Sequence, residues 1–277
     1  MLRNISRQTL LKNAGTIALL SFLAASAVIP LLWMLFTSFK PLQEIENGAL
    51  LPKSWHPENY SAVFRQVPFA RYCMNSVFVA AWVTFLSCFT SAMGAYAFAR
   101  LDWKGRDSVF KLYLGTLMVP GVVTMIPNYT LMVQFHLMDS FTGLIIPSAF
   151  GAFGTFLLRQ YMLGIPRALD EAAEMDGASH WSIFLDVVLP LSKPGLMALA
   201  ILTFLGSYGS FYWPLILIKS ESLRTLPVGM MVFDSIYGRE TNLLMAASLM
   251  SLVPPILLFL FGQKHLIRGI ILGSVKG

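Results

Sequence analysis

The chain has 277 residues, 56% of them hydrophobic and 12% charged, with a formal net charge of +6. Soluble domains carry about 25% charged residues, so this chain cannot cover a water-facing surface. A nucleic-acid-binding protein would cluster its basic residues on one soluble face, and no such cluster is present, so the positive balance belongs to membrane topology.

Setting aside every Asp, Glu, Lys and Arg leaves six charge-free runs: Asn13 to Phe39, Tyr72 to Ala99, Leu112 to Met138, Ser140 to Leu158, Pro194 to Ile218 and Thr241 to Gln263. A helix needs about 20 residues to cross the hydrocarbon core, and barrel strands would alternate in polarity, which these runs do not. The predicted fold class is an all-α membrane protein. Six transmembrane helices, near 14–36, 73–99, 110–137, 141–158, 195–218 and 242–262, form a single transmembrane domain over 1–277.

Arg3, Arg7 and Lys12 before an apolar run with Ala25-Ser-Ala27 invite comparison with a cleaved signal. The run continues to Phe36, beyond the roughly 7 to 15 residues of a signal core, which predicts an uncleaved first helix. Placing both termini in the cytoplasm puts 13 of the 20 Lys and Arg there, as cytoplasmic loops require. The segment Lys40 to Arg71 is then the longest external loop, with Pro41, Pro52, Pro57, Pro68, Trp55, Tyr60 and Phe64. It reads either as a docking surface for an external partner or as a connector whose aromatics rest at the lipid interface.

The second run ends at Ala95-Tyr-Ala-Phe-Ala-Arg100 and enters Leu101 to Asp107, predicted to be a solvated basic turn. Its two cysteines, Cys73 and Cys88, lie roughly 22 Å apart at the helical rise and cannot bridge within one helix. The four histidines show no ligand spacing, so no metal is assigned. The third run carries Pro120-Gly121 and Pro127, and proline breaks helical hydrogen bonding. Broken helices at membrane depth occur inside protein or beside a watery cavity, so Pro120 to Asn128 marks either a transport path or a plain kink. In the fourth run, Gly143, Gly151 and Gly154 suit close helix packing.

Between the fourth and fifth runs lies Arg159 to Lys193, the longest cytoplasmic loop. Pro166 is placed to begin a short helix, with Asp170, Glu171 and Glu174 near its positive end. Gly177 is placed for a left-handed cap and Ser179 for the next N-cap. Trp181, Phe184, Leu185 and Val188 fall on one helical face, and Pro190 is expected to stop the helix. Interfacial helices present Lys and Arg to anionic lipid, whereas this hairpin carries Asp170, Glu171, Glu174, Asp176 and Asp186. An acidic helix flanked by Ala172 and Ala173 suits a groove on a basic partner protein instead.

The fifth run contains Gly206-Ser-Tyr-Gly-Ser-Phe-Tyr-Trp-Pro214, where Gly206, Gly209 and Pro214 loosen the helix. Tyr208, Tyr212 and Trp213 supply amphipathic rings that stack on sugar faces or form an interfacial belt, the belt suiting Trp213 best. The sixth run, with Pro254-Pro255, is predicted to kink. No phosphate-binding loop, nucleophile elbow or zinc helix is present, so no enzyme activity is expected of this chain. An ion-coupled secondary carrier or channel for a small polar solute is the alternative. It is weakened because the six runs hold no ionisable coupling group except His136 near one end, although neutral oxygens on broken helices can bind sodium.

Glu171-Ala172-Ala173, Gly177 and Val187-x-Leu189-Pro190 are spaced as in the Glu-Ala-Ala loop of ABC-importer permease subunits, with valine for isoleucine at 187. The chain resembles that family along nearly its whole length, and the carbohydrate-uptake branch in particular. Phe156-Leu-Leu-Arg-Gln160, Asp176-Gly-Ala-Ser179, Leu189-Pro-Leu-Ser-Lys-Pro194 and the ending Val275-Lys-Gly277 look like the second subunit of maltose-type permeases. The resemblance implies a permease domain of the bacterial inner membrane. Its partners would be a second homologous permease, two ATPase subunits that bind ATP and Mg2+, an external solute-binding protein and a saccharide. It further implies that Glu171 pairs with a basic ATPase residue, that Ala172 and Ala173 allow close approach, and that Gly177 sets the corner. Glu174, Asp176, Val187, Leu189 and Pro190 would complete the ATPase-coupling set, and the tail Ser274, Val275, Lys276 and Gly277 would reach the ATPase. Where the family commonly has Gly-Ser-Trp-Asn-Asp-Phe, this chain has Gly206-Ser207-Tyr208-Gly209-Ser210-Phe211. The lost carboxylate suits an acidic or unusually large saccharide, or leaves the sugar contacts to the partner permease. The substrate-path candidates are thus Pro120, Asn128, Tyr208, Gly209, Ser210 and Tyr212.

Overall fold

The computed structural model describes residues 7–235 and 238–274. In chain order the helices are α1 (Arg7–Ser38), α2 (Leu42–Glu46), α3 (Glu58–Gln66), α4 (Phe69–Ala99), α5 (Arg106–Gly115) and α6 (Gly121–Gln134). They continue with α7 (Phe141–Ile145), α8 (Ala152–Leu163), α9 (Ala168–Met175), α10 (His180–Ser182), α11 (Leu189–Leu191), α12 (Lys193–Tyr208) and α13 (Tyr212–Leu217). Last come α14 (Leu226–Gly229), α15 (Thr241–Ser251) and α16 (Val253–Ser274), preceded by a two-residue antiparallel pair, β1 (Asp234–Ser235) and β2 (Gly238–Arg239).

Three helical stretches, Gly15–Ser38, Phe69–Ala99 and Thr241–Gln263, are long and apolar enough to cross a membrane unaided. Three bent pairs meet the same requirement only when each is taken together: Arg106–Met118 with Gly121–Gln134 at 97°, Phe141–Ser148 with Ala152–Leu163 at 46°, and His180–Leu191 with Lys193–Tyr208 at 75°. The predicted continuous helices 110–137 and 141–158 are therefore interrupted, and 195–218 is broken between α12 and α13. Pro120, with no N–H to donate, caps α6 in an extended conformation (φ −60°, ψ 132°) and forces Val119 out of the helical region as well. Pro147 sits in a 3₁₀ turn and Gly151 is extended before α8. Gly209 ends α12. In the sixth run the helix breaks at Leu252, just before Pro254-Pro255.

Residue contacts divide the chain into two units, one comprising the chain up to Pro68 with Met230–Ser251, the other Phe69–Gly229 with Leu252 onward. In the first unit, α15 packs against α1 and α3, and the proline-rich stretch after α1 has an organised core of its own. Lys40 is buried, its Nζ donating to the carbonyls of Ala49 at 2.6 Å and Leu50 at 2.9 Å. Such acceptors offset the cost of taking a cation out of water. Burial holds the Lys40 ammonium below its ordinary pKa, with Glu44 opposing the shift. Asn59 Nδ2 donates to the carbonyls of Ser38 (2.9 Å) and Lys40 (3.0 Å), and Asn242 donates to Asn59 Oδ1 (3.1 Å).

The second unit is built on α4, which packs against α8 and α12. Small residues make the approach: a Cβ on Gly154 would collide with Ser91, and one on Gly94 would meet Thr155 at 3.2 Å. Gly195 lies against the Tyr161 ring, where a Cβ would sit 2.7 Å away. Gly143 is equally tight, against the Leu137 carbonyl, whereas Gly151 faces open space. Of the three glycines predicted to serve packing, Gly143 and Gly154 do and Gly151 does not.

Gly154→Ala should therefore separate α4 from α8 at a cost of about 1–3 kcal/mol, as overpacking does. Gly151→Ala should be close to neutral. Thermal unfolding of the purified protein in detergent checks this, and equal midpoints for the two variants would count against the packing assignment.

Candidate functional site

The hairpin from Pro166 to Leu191 takes its shape from local sequence. Gly177 adopts φ +82°, Gly177 N donates to Glu174 O at 2.9 Å, and Ala178 N donates to Ala173 O at 2.9 Å. That pair of bonds is the Schellman closure, in which a left-handed glycine satisfies the last carbonyls of a helix. The Ser179 side chain accepts from Ser182 N and starts the second arm. That arm then widens into a π-helical turn over Ile183–Val188. The wider turn changes the predicted face: Ile183, Phe184 and Val188 are buried, while Trp181 and Leu185 are exposed. Nor does Pro190 stop the helix, which runs on to Leu191 and bends at Ser192.

Beneath the hairpin, Tyr96, Leu158, Met162 and Leu199 form a core with Ile183, Phe184 and Val188, against which Ala173, Val187 and Leu189 also pack. These three members of the predicted docking set thus turn partly inward. Glu171, Ala172, Glu174, Asp176, Gly177 and Pro190 are exposed. Beside them stands Met175, 89% exposed, flanked by exposed Leu169 and Trp181. Sequence reading passed over Met175, although its place between Glu174 and Asp176 at the end of α9 was the available signal. The hairpin face is therefore apolar at its tip and acidic around it. Exposed Met and aromatic side chains of this kind mark partner surfaces.

Asp170 behaves differently from the other acids. It pairs with Arg100 Nη1 at 3.0 Å, with side-chain exposures of 15% and 3%. Arg100 Nη2 also donates to the carbonyls of Met162 (2.7 Å) and Ile165 (2.9 Å). The turn after α4 is largely solvated, as predicted, with Asp102 to Gly105 and Asp107 exposed, while arginines at and around it brace α4. Arg159 Nε donates to Phe98 O at 3.2 Å and its guanidinium lies 4.2 Å over the Phe110 ring. Arg106 bonds Leu101 O at 3.1 Å and Asp102 at 2.7 Å. Tyr96 OH donates to His180 O at 3.1 Å and ties the second arm to α4 as well.

A second feature lies where the helices break. A cavity of about 240 Å³ is lined by Ser148, Thr203, Gly206, Ser207, Ser210, Trp213 and Thr225, among others. A chamber of about 150 Å³, lined by Gly121, Met125, Asn128 and Pro147, shares Ser148 and Trp213 with it. The predicted path residues Ser210 and Asn128 thus meet on the two sides of Trp213. Trp213 Nε1 donates to Gly143 O at 3.1 Å, which fixes the ring against α7. Tyr208 turns away, buried and stacked on Phe204 at 5.9 Å, with its hydroxyl 3.8 Å from Cys73 Sγ. Tyr212 is exposed, Gly209 caps α12, and Pro120 caps α6 without lining either chamber. Of the predicted tail contacts, Ser274 ends α16, and Val275, Lys276 and Gly277 lie outside the described residues.

A helical multi-pass membrane protein with an anchored, exposed hairpin and cavities among its broken helices has the form of a transport subunit. The family model of the binding-protein-dependent transport system inner membrane component matches residues 12–272. The arabinooligosaccharides transport system permease protein AraQ of Halalkalibacterium halodurans is 37% identical over 262 residues, covering 93% of this chain and 94% of that protein. The diacetylchitobiose uptake system permease protein NgcG of Streptomyces coelicolor is 31% identical, covering 94% and 87%. Among solved structures, a bacterial ABC transporter involved in the import of the acidic polysaccharide alginate matches in fold, with a TM-score of 0.81 at 24% identity, over 94% of this chain and 98% of that one. The chain belongs to the binding-protein-dependent transport system inner membrane component family and is an ABC transporter permease subunit.

Removing one partner of a buried ion pair leaves an uncompensated charge, at a cost of about 3–5 kcal/mol. Arg100→Met should therefore loosen the hairpin from α4, exposing Arg159 to Lys193 to proteolysis, and adding Asp170→Leu should restore much of the protection. Limited trypsin digestion in detergent reads both effects. A single variant as resistant as the parent would refute the anchoring role.

Proposed function

We propose that this chain is the membrane-spanning permease subunit of an ATP-driven, binding-protein-dependent importer of saccharides in the bacterial inner membrane. It works as a single permease domain with six membrane crossings, three straight and three broken, and with both termini and the hairpin in the cytoplasm. Its partners are a second, homologous permease, two ATPase subunits that hold ATP and Mg2+, and an external solute-binding protein. The observation that carries this reading is the hairpin: anchored through Arg100 at its base, yet presenting exposed Met175 within a rim of Glu171, Glu174 and Asp176. That surface suits a partner with an apolar cleft edged by basic residues. The saccharide follows the names of the relatives, two of which are permeases for arabinooligosaccharides and diacetylchitobiose.

The mechanism follows from the anchorage. Closure of the ATPases on ATP draws the docked hairpins together. Because the hairpin shares one packed core with α4, α8 and α12, its displacement is passed to those helices as a body rather than absorbed in a flexible loop. Movement of α12 and the helices it packs against then alternates access to the cavities. Glu171 steers and holds the basic partner residue, Ala172 permits close approach, and the Gly177 corner keeps the two arms at a fixed angle.

Truncating or reversing a central interface residue costs about 2 kcal/mol or more, so Met175→Glu and Glu171→Lys should weaken ATPase docking by about thirtyfold. Both variants should still insert in the membrane, while co-purification of the ATPase and saccharide uptake fall together. Normal uptake by both would refute the docking role. Uptake that survives ATP depletion but collapses with an ionophore would instead establish the ion-coupled carrier.

A further inference from the structure

The larger cavity has an uncharged lining in which a group of hydroxyls stands beside apolar Val79, Val83, Leu144 and Pro214. Ser148, Thr203, Ser207, Ser210 and Thr225 bring five hydroxyls to one space with Trp213, and no lining residue is charged. Thr225 is 4% exposed, and its Oγ1 has no hydrogen-bond partner among the described residues. An unpaired buried hydroxyl is costly; other buried atoms, such as those of Thr84 and Ser91, share that state, but Thr225 lines this cavity, where a ligand could supply the partner.

Three of the neighbouring hydroxyls are similarly free, while Ser148 Oγ donates to Leu144 O at 3.4 Å. Serine and threonine within helices commonly donate to the carbonyl four residues back, as Ser248 does to Leu244 O at 2.7 Å. The side chains of Thr203, Ser207 and Ser210 make no hydrogen bond among the described residues. The break at Gly209 places Ser210 just beyond the end of α12, on the same cavity as Thr203 and Ser207.

We infer that this cavity is a sugar-ring subsite, specific for neutral saccharides, in this permease subunit itself; the inference rests on the saccharide-import reading. Each lining hydroxyl both donates and accepts, which matches the hydroxyls of a sugar, since these do the same. The Trp213 N–H is engaged by Gly143 O, so its ring offers an apolar surface to the face of a pyranose or furanose. Whole-ligand pockets span roughly 300–1,000 Å³, so about 240 Å³ suits one ring of a chain at a time. The adjoining chamber at Asn128 receives the next position, across Ser148 and Trp213. An ionised sugar acid would enter with no counter-charge among the lining residues, which is unfavourable away from water. The acidic saccharide suggested by the absence of a carboxylate near position 210 thus gives way to a neutral one, recognised by hydroxyls.

The test uses the complete transporter in proteoliposomes with its solute-binding protein, and measures sugar moved per ATP hydrolysed. The probes are radiolabelled arabinotriose and diacetylchitobiose as neutral saccharides and a trimer of galacturonate as the acidic one. At least one neutral probe should be transported in preference to the acidic one. Thr225→Val, and Ser207→Ala combined with Ser210→Ala, should each lower sugar per ATP about fivefold to tenfold, by the loss of hydrogen bonds to the sugar. Binding-protein-stimulated ATPase activity should persist in both, and Thr225→Ser should behave as the parent. Unchanged stoichiometry in the variants, or preferred transport of the acidic probe, would overturn the subsite. So would a parallel fall of ATPase activity and uptake in Thr225→Val and Thr225→Ser alike, which would mark a structural role. Failure of the parent transporter to move any saccharide would be a different result and would defeat the saccharide-import reading.

Discussion

The constraint on which the rest depends is the buried contact of Arg100 with Asp170 and the carbonyls of Met162 and Ile165. An arginine at the end of a 31-residue apolar helix has nowhere to dissolve its charge, and a carboxylate alone would not use its five donors. The end of α8 supplies the Met162 carbonyl, the turn after it supplies the Ile165 carbonyl, and α9 supplies the acid. The end of α4 is thereby fixed to α8 and α9, which lie some sixty residues further along the chain, at one point. The guanidinium does this through fork geometry that a lysine cannot reproduce. A buried pair need not add net stability relative to apolar packing. What it contributes is a single defined angle for the hairpin, which a slippery apolar contact would not enforce.

The same need to satisfy polar groups in an apolar setting explains why the broken helices hold their shape. A helix that stops inside the membrane leaves donors and acceptors that lipid cannot pair. Thr90 donates to Ala149 O at 2.8 Å at the break before α8, and Trp213 donates to Gly143 O. Asn75 donates to the carbonyls of Ser222 and Arg224, and Ser76 accepts from Leu226 N at 2.8 Å. Asp139 takes the backbone N–H groups of Lys219 and Ser220, each at 2.9 Å, and the Ser220 hydroxyl. These bonds hold its carboxyl below the ordinary carboxylate range. The Thr90 and Trp213 bonds brace the interrupted fourth run, and the others fix the segment 219–226 to α4 and to Asp139.

Much of this was legible in the sequence, for identifiable reasons. Hydropathy exposes apolar runs because lipid tolerates no alternative, and Gly177 and Ser179 declare a corner because few other residues serve a left-handed cap and an N-cap. What could not be read was direction. Periodicity assumes 3.6 residues per turn, and the π-helical turn at Ile183–Val188 breaks that assumption, exchanging Leu185 for Ile183 on the buried face. Charge counting treats Asp170 as equivalent to Glu171, although one points to Arg100 and the other to solvent. The partner of Trp213, a carbonyl 70 positions away, is invisible until the fourth run is seen to break. Thr225 carried no signal at all, since an unpaired hydroxyl is a property of packing rather than of composition.

The two candidate features are joined by one element. Helix α12 begins at Lys193, directly after the hairpin bends at Ser192, and ends at Tyr208, one residue before the break that brings Ser210 to the cavity. Its 16 residues span about 24 Å, and close contacts grip it along its length, Gly195 against Tyr161 and Ile201 against Gly262. A helix packed in this way transmits displacement as a rod, because compressing or bending it would sacrifice backbone hydrogen bonds with no water to replace them. Thr203 and Ser207 ride on that rod, while Thr225 is held beside α4, where Ser76 fixes the adjacent Leu226 N. Shifting the hairpin therefore changes the spacing between the hydroxyls of α12 and the hydroxyl of Thr225. On the proposed docking of a partner at the hairpin, the cavity would need no separate gate, since a movement imposed at one end of α12 would also assemble or spread the hydroxyl set at the other.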